Sequence, residues 1–271
     1  MFKINTESPA KLNLFLKVLS KRSDGYHNID TSFQYIDLSD KMIFKKTEKD
    51  ILIESKEKFL LNHNNTIFQS AQKLKEMFKV KSGVKIQIQK NIPIGAGLGG
   101  GSSNSATTLV ALNKLWDLNL SKNRLIEIGK NIGADVPFFI FGKNALGKGL
   151  GEELKPVDSV KNNFLLIQPD IHNSTKKMFN LLEQWRENNK TISANKQNDF
   201  WDVYLNQNPF IGEFFKINSK DYDLNLSGSG SCMFIKFQDQ KEIKNIVKKI
   251  PSNWRLFFCK PLQYSPICYI K

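Results

Sequence analysis

The 271-residue sequence predicts an α+β protein in two halves, and three observations lead there. Apolar, β-rich pieces separated by turn signals fill residues 12–54. A strand, a glycine-rich loop and a helix follow one another over residues 84–116. Beyond residue 156 strand and helix patterns alternate, as they would in a separate open sheet.

Leu12, Leu14, Leu16 and Val18 recur every second residue, which predicts a strand with an apolar face, and Lys11 stands at its start. Ser23-Asp24-Gly25 is a turn signal, with Tyr26-His27 just after it. Ile29 to Leu38, Lys41 to Lys45 and Ile51 to Glu54 then read as an antiparallel meander. A helix is predicted from Thr66 to Phe78. Thr66 and Gln69 are spaced as a capping box, and Ile67, Ala71, Leu74 and Phe78 share a face. Val84, Ile86 and Ile88 alternate with polar residues, the period of a half-buried strand.

The stretch from Ile92 to Asn104 organises the chain. Its glycines let the backbone turn through positive φ and let a ligand approach the amides. The helix predicted from Ser102 to Trp116, capped by Ser102, Ser103 or Asn104, directs its free N–H groups and the positive end of its dipole at that loop. A strand, glycine loop and helix in this order form an anion site suited to phosphate. Two familiar phosphate motifs do not fit. Gly95, Gly97 and Gly100 match the dinucleotide pattern, but Asp117 follows the helix with no second strand to place it under a ribose. Gly95, Gly100 and Ser102 match a Walker A frame, yet Gly101 occupies the position of its lysine.

The next helix runs from Lys122 to Ile132 and stops at Gly133. Asp135 then stands between that helix and the apolar run Phe138 to Phe141, where it is either a partly buried functional carboxylate or, as such aspartates more often are, a helix cap or a surface-loop residue. Gly147 to Pro156 reads as a loop-rich domain boundary. After it come a strand at Phe164 to Gln168 and a helix at Thr175 to Trp185, with Met178, Leu181, Leu182 and Trp185 inward. Short helices follow at Asp199 to Leu205 and Pro209 to Ile217, then strand, helix and strand at Met233 to Phe237, Gln240 to Ile250 and Arg255 to Cys259. Ile267 to Ile270 is a candidate further strand, and the whole half is expected to form an open sheet with helices on one side. A second glycine loop, Leu226 to Cys232, reads by itself as a flexible turn.

Lys plus Arg number 40 against 26 Asp plus Glu, a net charge of +14. The arginines are Arg22, Arg124, Arg186 and Arg255, and the lysines are spread along the chain rather than massed. This fits a solvated lysine-rich surface that helps attract polyphosphate, and argues against a nucleic-acid footprint. Cys232, Cys259 and Cys268 lack the paired spacing of a zinc site and read as reduced thiols, so no metal-ligating set is expected. No apolar run has the length of a signal peptide or a membrane span, so a soluble, cytoplasmic protein without a membrane partner is expected.

Pro9 to Leu14, the loop at 93–104 and Gly228-Ser229-Gly230 together resemble the GHMP kinase superfamily, whose phosphate loop carries no Walker lysine. Ser8 to Leu14, Arg22 to His27, the triple glycine before Ser102-Ser103-Asn104, and Gly133 to Pro137 are similar to one branch of it. The substrate of that branch is a cytidine diphosphate ester of methylerythritol. The likeness runs in order from residue 8 to about residue 235.

The resemblance implies a two-domain α+β GHMP kinase fold, with a ribosomal-protein-like half at 1–155, a ferredoxin-like half at 156–271 and the active site in the cleft between them. It implies transfer of the ATP γ-phosphoryl to the substrate's 2-hydroxyl, with Mg²⁺ accompanying ATP. By the same resemblance Asp135 is the base and Lys11 the cation beside it. Pro93, Gly95, Ala96, Gly97, Leu98, Gly99, Gly100, Gly101, Ser102 and Ser103 hold the ATP phosphates, either serine being able to reach metal or phosphate, and Asn65 contacts adenine. Asn13, Tyr26, His27, Phe33, Gly228 and Ser229 bind the small-molecule cytidine-diphosphate substrate, with Tyr26 stacking on cytosine and His27 hydrogen-bonding its edge.

His63 and His172 are expected on the surface. A second cytosine-stacking aromatic is expected just before Asn198-Asp199, but Asn195, Lys196 and Gln197 stand there; Phe200 or Trp201 is the alternative, or a one-sided stack. The rival readings are a GHMP kinase acting on mevalonate, homoserine or a sugar, a basic nucleic-acid binder, and an inactive relative; Lys11, Asp135 and both glycine loops argue against the last. Oligomeric state is not legible.

Overall fold

The computed structural model describes residues 3–188, 192 and 197–270. Two long strands, β1 (Lys3–Lys21) and β2 (His27–Thr47), form an antiparallel pair, because the alternating apolar positions of both segments continue well past the turn at 23–25. β2 is a single strand where the sequence suggests two. Its pairing with β1 slips between Pro9 and Ala10, whose partners are Ser39 and Ile36. Asp37 and Leu38 are therefore bulged, which bends the strand without breaking it.

β2 also carries the rest of the first sheet. β4 (Gly83–Gln89) pairs with its last residues and β5 (Ala145–Lys148) with Thr31 to Phe33. β3 (Ile51–Ser55) does not continue a meander; it lies parallel to β4. Parallel neighbours need a crossover, and α1 (Thr66–Met77) supplies it. The passage taken as a loop-rich boundary forms a hairpin of β5 and β6 (Glu153–Pro156), turning through Gly149 and Gly151, both at positive φ. Helices α1, α2 (Gly100–Leu115), α3 (Lys122–Lys130) and α4 (Val136–Phe141) close one core with this sheet.

The second sheet is antiparallel, in the order β10-β7-β9-β8. It is formed by β7 (Asn163–Gln168), β8 (Asn225–Leu226), β9 (Met233–Phe237) and β10 (Arg255–Cys259). Alternation divides its side chains. Leu165, Ile167, Met233 and Ile235 pack under α5 (Thr175–Glu187), α6 (Trp201–Gln207) and α7 (Pro209–Asn218). Phe164, Leu166 and Phe234 pack instead against Ala10, Leu12, Ala96 and Leu98 of the first half.

Three further expectations change. Gln240 to Ile250 is a 3₁₀ turn (Gln240–Ile243) running into α8 (Lys244–Lys249). Ile267 to Ile270 is no strand: Pro266–Tyr269 form a 3₁₀ turn, after the two-residue β11 (Pro261–Leu262) has paired with β2. Thr66 is not the cap of α1. Asn65 is, its Oδ1 accepting from Phe68 N–H at 2.8 Å, while Thr66 donates to the Gly101 carbonyl and Gln69 to Asn64.

Phe138 ties the helices to the sheet, its ring stacked on Phe33 and Tyr35 at 4.5 and 4.4 Å. Phe138→Ala is expected to cost about 3–5 kcal/mol of folding free energy, read from urea unfolding.

Candidate active site

The phosphate loop is fixed at its start by a carboxylate that lies two residues beyond the β2 bulge. Asp40 is fully buried and accepts from the N–H groups of Asn91 and Ile92 at 2.8 and 2.9 Å, from Asn104 Nδ2 at 2.8 Å, and from the ion-paired Lys90 ammonium. Sequence reasoning missed Asp40 and Lys90. Nothing local singled Asp40 out, since Asp30, Asp37, Lys41, Lys45 and Lys46 stand in the same strand.

From there the loop runs between two partners. Lys11 N–H donates to the Leu98 carbonyl at 3.0 Å from one side. Cys232 N–H donates to Ala96 at 3.1 Å and Ser227 Oγ to Gly97 at 3.0 Å from the other. The loop carbonyls are thus taken up by protein donors. Among the described residues the N–H groups of 95–99 donate to nothing, and these residues line the cleft. Gly97 sits at φ 75° with the Ser227 carbonyl packed where a Cβ would be, and Gly99, at φ 70°, has the Phe139 ring 2.9 Å from that position. Glycine is required at both.

Gly99 is also the N-cap of α2, so the helix begins inside the glycines and not at the serines. Ser103 is turned away from the cleft: its hydroxyl is buried and accepts from Ser8 Oγ at 2.7 Å, with Asn104 Nδ2 donating to the same Ser8 at 2.9 Å. Of the two serines only Ser102 lines the cleft.

Beside the loop, Lys11 Nζ lies 3.5 Å from Asp135 Oδ2, donates to Asn13 Oδ1 and stands 5.5 Å over the Phe33 ring. The lysine side chain is 4% exposed and the aspartate 28%, so a buried cation faces a carboxylate that remains open to the cleft. Asp135 precedes α4 but caps nothing with its side chain. Asn13 is held in turn, Nδ2 donating to Thr31 Oγ1 at 2.8 Å and N–H to Ser227 Oγ at 3.3 Å.

The far end of the cleft is aromatic. His27, at the start of β2, stacks on Phe179 with centroids 5.2 Å apart and planes 25° from parallel; Phe179 meets Phe200 edge-on at 4.9 Å. His27 Nε2 lies 2.9 Å from Glu183 Oε1, which also takes Lys21 Nζ at 2.7 Å. The hydrogen bond from Lys21, with a smaller contribution from His27, holds the Glu183 carboxyl below its usual range. Tyr26 stands at the rim, 62% exposed. Of the two alternatives, Trp201 is buried beneath α7 and does not line the cleft, whereas Phe200 does, lying edge-on behind Phe179 with its side chain buried. Asn195 and Lys196 lie outside the described residues.

One cleft of about 1140 Å³ joins these groups. Lys11, Asn13, Tyr26, His27, Phe33, Asn65, Pro93, Gly95 to Ser102, Asp135, Gly228 and Ser229 all line it; Ser103 does not. The second glycine loop is no free turn, since Gly228 packs against Gly97 and Ser229 Oγ lies 3.1 Å from Thr175 Oγ1. Asn65 Nδ2 is already donated to the Leu60 and Asn62 carbonyls at 2.9 and 2.5 Å. The histidines left as surface residues have neighbours: His63 stacks on Phe68, and the exposed His172 ring lies against Gly95.

The description "GHMP kinases N terminal domain" matches residues 65–143. The 4-diphosphocytidyl-2-C-methyl-D-erythritol kinase of Wigglesworthia glossinidia brevipalpis is 40% identical over 269 residues, covering 95% of this chain and 88% of its own. The enzyme of the same description from Acinetobacter baylyi is 38% identical, covering 98% of each chain. The chain belongs to that kinase family. A crystal structure of 4-(cytidine 5'-diphospho)-2C-methyl-D-erythritol kinase shares the fold of this GHMP kinase, with a TM-score of 0.77 at 24% identity over 95% of this chain and 99% of that one.

In this GHMP kinase Gly97→Ala is expected to push the two glycine loops apart and weaken nucleotide binding about tenfold or more, equivalent to at least about 1.4 kcal/mol. Calorimetric titration with a non-hydrolysable ATP analogue checks this. Gly212→Ala, where an added Cβ meets nothing closer than 3.6 Å, is the control.

Proposed function

We propose that the cleft transfers the γ-phosphoryl group of ATP to the 2-hydroxyl of 4-diphosphocytidyl-2-C-methyl-D-erythritol. The observation that carries this reading is the position of the Lys11–Asp135 pair, between a loop of undonated backbone N–H groups and an aromatic pocket. Family membership makes the protein an ATP-dependent kinase of small molecules. The aromatic end supports the choice of a substrate that carries a base, because mevalonate, homoserine and simple sugars have no base to stack on Tyr26 or to present an edge to His27.

In this reading the amides of Gly95 to Gly101 and the dipole of α2 hold the ATP phosphates. Asp135 orients the 2-hydroxyl and accepts its proton as the new O–P bond forms and ADP leaves. Lys11 stabilises negative charge that develops on the attacking oxygen beside Asp135. Asn13, which shares the Lys11 ammonium, lines the methylerythritol end with Phe33. Gly228 and Ser229 close the cleft from the second half, and the chain is divided between 1–155 and 156–271.

No three His, Cys, Asp or Glu side chains converge among the described residues, so Mg²⁺ would take most of its ligands from the phosphates. Ser102 Oγ, which lines the cleft, is a hard oxygen donor that suits it at the protein side. When bound, the ion neutralises charge on the phosphate oxygens.

ADP release in the presence of ATP and Mg²⁺ tests the reading on a panel of the cytidyl compound, mevalonate, homoserine and galactose. Turnover of the cytidyl compound alone is expected; turnover of another member instead would overturn the substrate assignment. Asp135→Asn is expected to lower kcat by about 10²–10⁴-fold while nucleotide binding persists. Phe179→Ala, which removes the ring that holds the His27 plane, is expected to raise KM for the cytidyl substrate about tenfold, equivalent to about 1.4 kcal/mol, and to leave KM for ATP within about twofold.

A further inference from the structure

Glu183 does not reach the phosphate loop or the Lys11–Asp135 pair; it touches His27 and Lys21. One of its oxygens takes both a lysine ammonium and the imidazole Nε2. An ionised carboxylate only accepts hydrogen bonds, so the nitrogen 2.9 Å away must be the one that bears the proton. A neutral imidazole has a single N–H, and Nδ1 is then left with a free lone pair. His27 lines the cleft, its side chain is 8% exposed, and it makes no other hydrogen bond through its ring among the described residues. The stack on Phe179 fixes the ring plane.

We propose that Glu183 is a positioning residue that holds His27 in the Nε2–H form, so that Nδ1 accepts from the 4-amino group of cytosine and rejects uracil. This rests on the proposed cytidyl substrate. The chemistry of the two bases makes the selection. Cytosine presents an N–H donor at C4, which meets the Nδ1 lone pair; uracil presents a carbonyl there, so two acceptors would face one another. Lys21 strengthens the arrangement by keeping the shared oxygen negative and anchored. The three groups come from different places: Lys21 from the end of β1, His27 from the start of β2, and Glu183 from α5 of the second half. The base is therefore read only where the two halves meet.

The test is made at pH about 8.5, where the nitrogen signals themselves report whether the ring carries one proton or two. Nitrogen NMR of the substrate-free protein, labelled in histidine, is expected to show His27 protonated at Nε2; protonation at Nδ1 would overturn the proposal without any variant being made. The ratio of kcat/KM for the cytidyl substrate to that for its uridyl analogue is then compared. Glu183→Leu, which leaves both tautomers available, is expected to lower that ratio about tenfold or more, since a site that hydrogen-bonds one analogue discriminates through the bond. Glu183→Gln, whose carbonyl oxygen can still take Lys21 and Nε2–H, is expected to restore it. A Leu variant whose tautomer becomes mixed while its ratio stays at the wild-type value would overturn the role in selection. If the wild-type protein turns over neither nucleotide compound, the functional reading fails and base selection with it, and the NMR signal alone decides whether Glu183 sets the tautomer.

Discussion

A carboxylate with no access to water is costly unless every lone pair finds a donor, and Asp40 meets that condition through backbone, amide and ammonium groups drawn from two other elements. Removing one partner from such a cluster leaves an uncompensated charge, so its geometry is tightly specified. It ties the bent strand β2 to the first residues of the phosphate loop and to the first turn of α2. The bend has a second use. At the bulge, Asp37 N–H donates to the Lys260 carbonyl and Asp37 Oδ1 accepts from Lys260 N–H, so the connection between β10 and β11 docks on the residues that the register slip leaves free. One irregularity in β2 thus sets the loop on one side and receives the end of the second sheet on the other.

The loop is held on its far side by the second glycine loop, and the reason lies in the alternation of β7 and β9. Their two faces are both apolar, so neither can be left to solvent. One face is covered by helices of its own half, and the other by Ala96, Leu98, Ala10 and Leu12. Burying Phe164, Leu166 and Phe234 therefore brings Ser227 and Gly228 against Gly97. Nucleotide-binding geometry is a consequence of core packing between the halves, with Ser227 Oγ, between Asn13 N–H and the Gly97 carbonyl, linking the substrate and phosphate ends.

Strands and helices with a strong local period were legible in the sequence: β4, β7, β9, α1 and α5 stand close to where the pattern puts them, while β1 begins at Lys3, nine residues before the alternation at Leu12 shows it. What was missed depends on partners distant in sequence. Nothing local in Ile51–Ser55 says that it pairs with β4 and not with the strand before it. The start of α2 was hidden because glycines serve as loop, cap and first turn at once. The triple glycine before the serines also left two hydroxyls open as phosphate ligands, and only the buried Ser8 separates them. Phe179 and Glu183 were absent from the expected site because α5 was read for a single face. Thr175, Phe179 and Glu183 recur at a spacing of four along it and line the cleft, while Met178 and Leu182 turn inward. A phenylalanine on the less apolar flank of an amphipathic helix was the available signal.

The cleft also shows why a net charge of +14 says little about its chemistry. Four lysines among the described residues line it: Lys11, Lys21 and Lys90 are each paired with a carboxylate, Asp135, Glu183 and Asp40 in turn, and Lys176, on α5, is the fourth. Those pairs cancel most of each other's field at a distance, so a polyphosphate is attracted locally by the undonated amides and the end of α2 more than by side-chain charge. This accounts for a phosphate loop with glycine where a Walker frame has lysine. Fixed backbone dipoles need no reorganisation as charge moves from the transferred group to the leaving diphosphate, whereas a mobile ammonium would have to follow it. It also leaves Lys11 free for a different task, since an ammonium buried beside Asp135 can stabilise the charge that develops on the attacking oxygen as its proton is passed on.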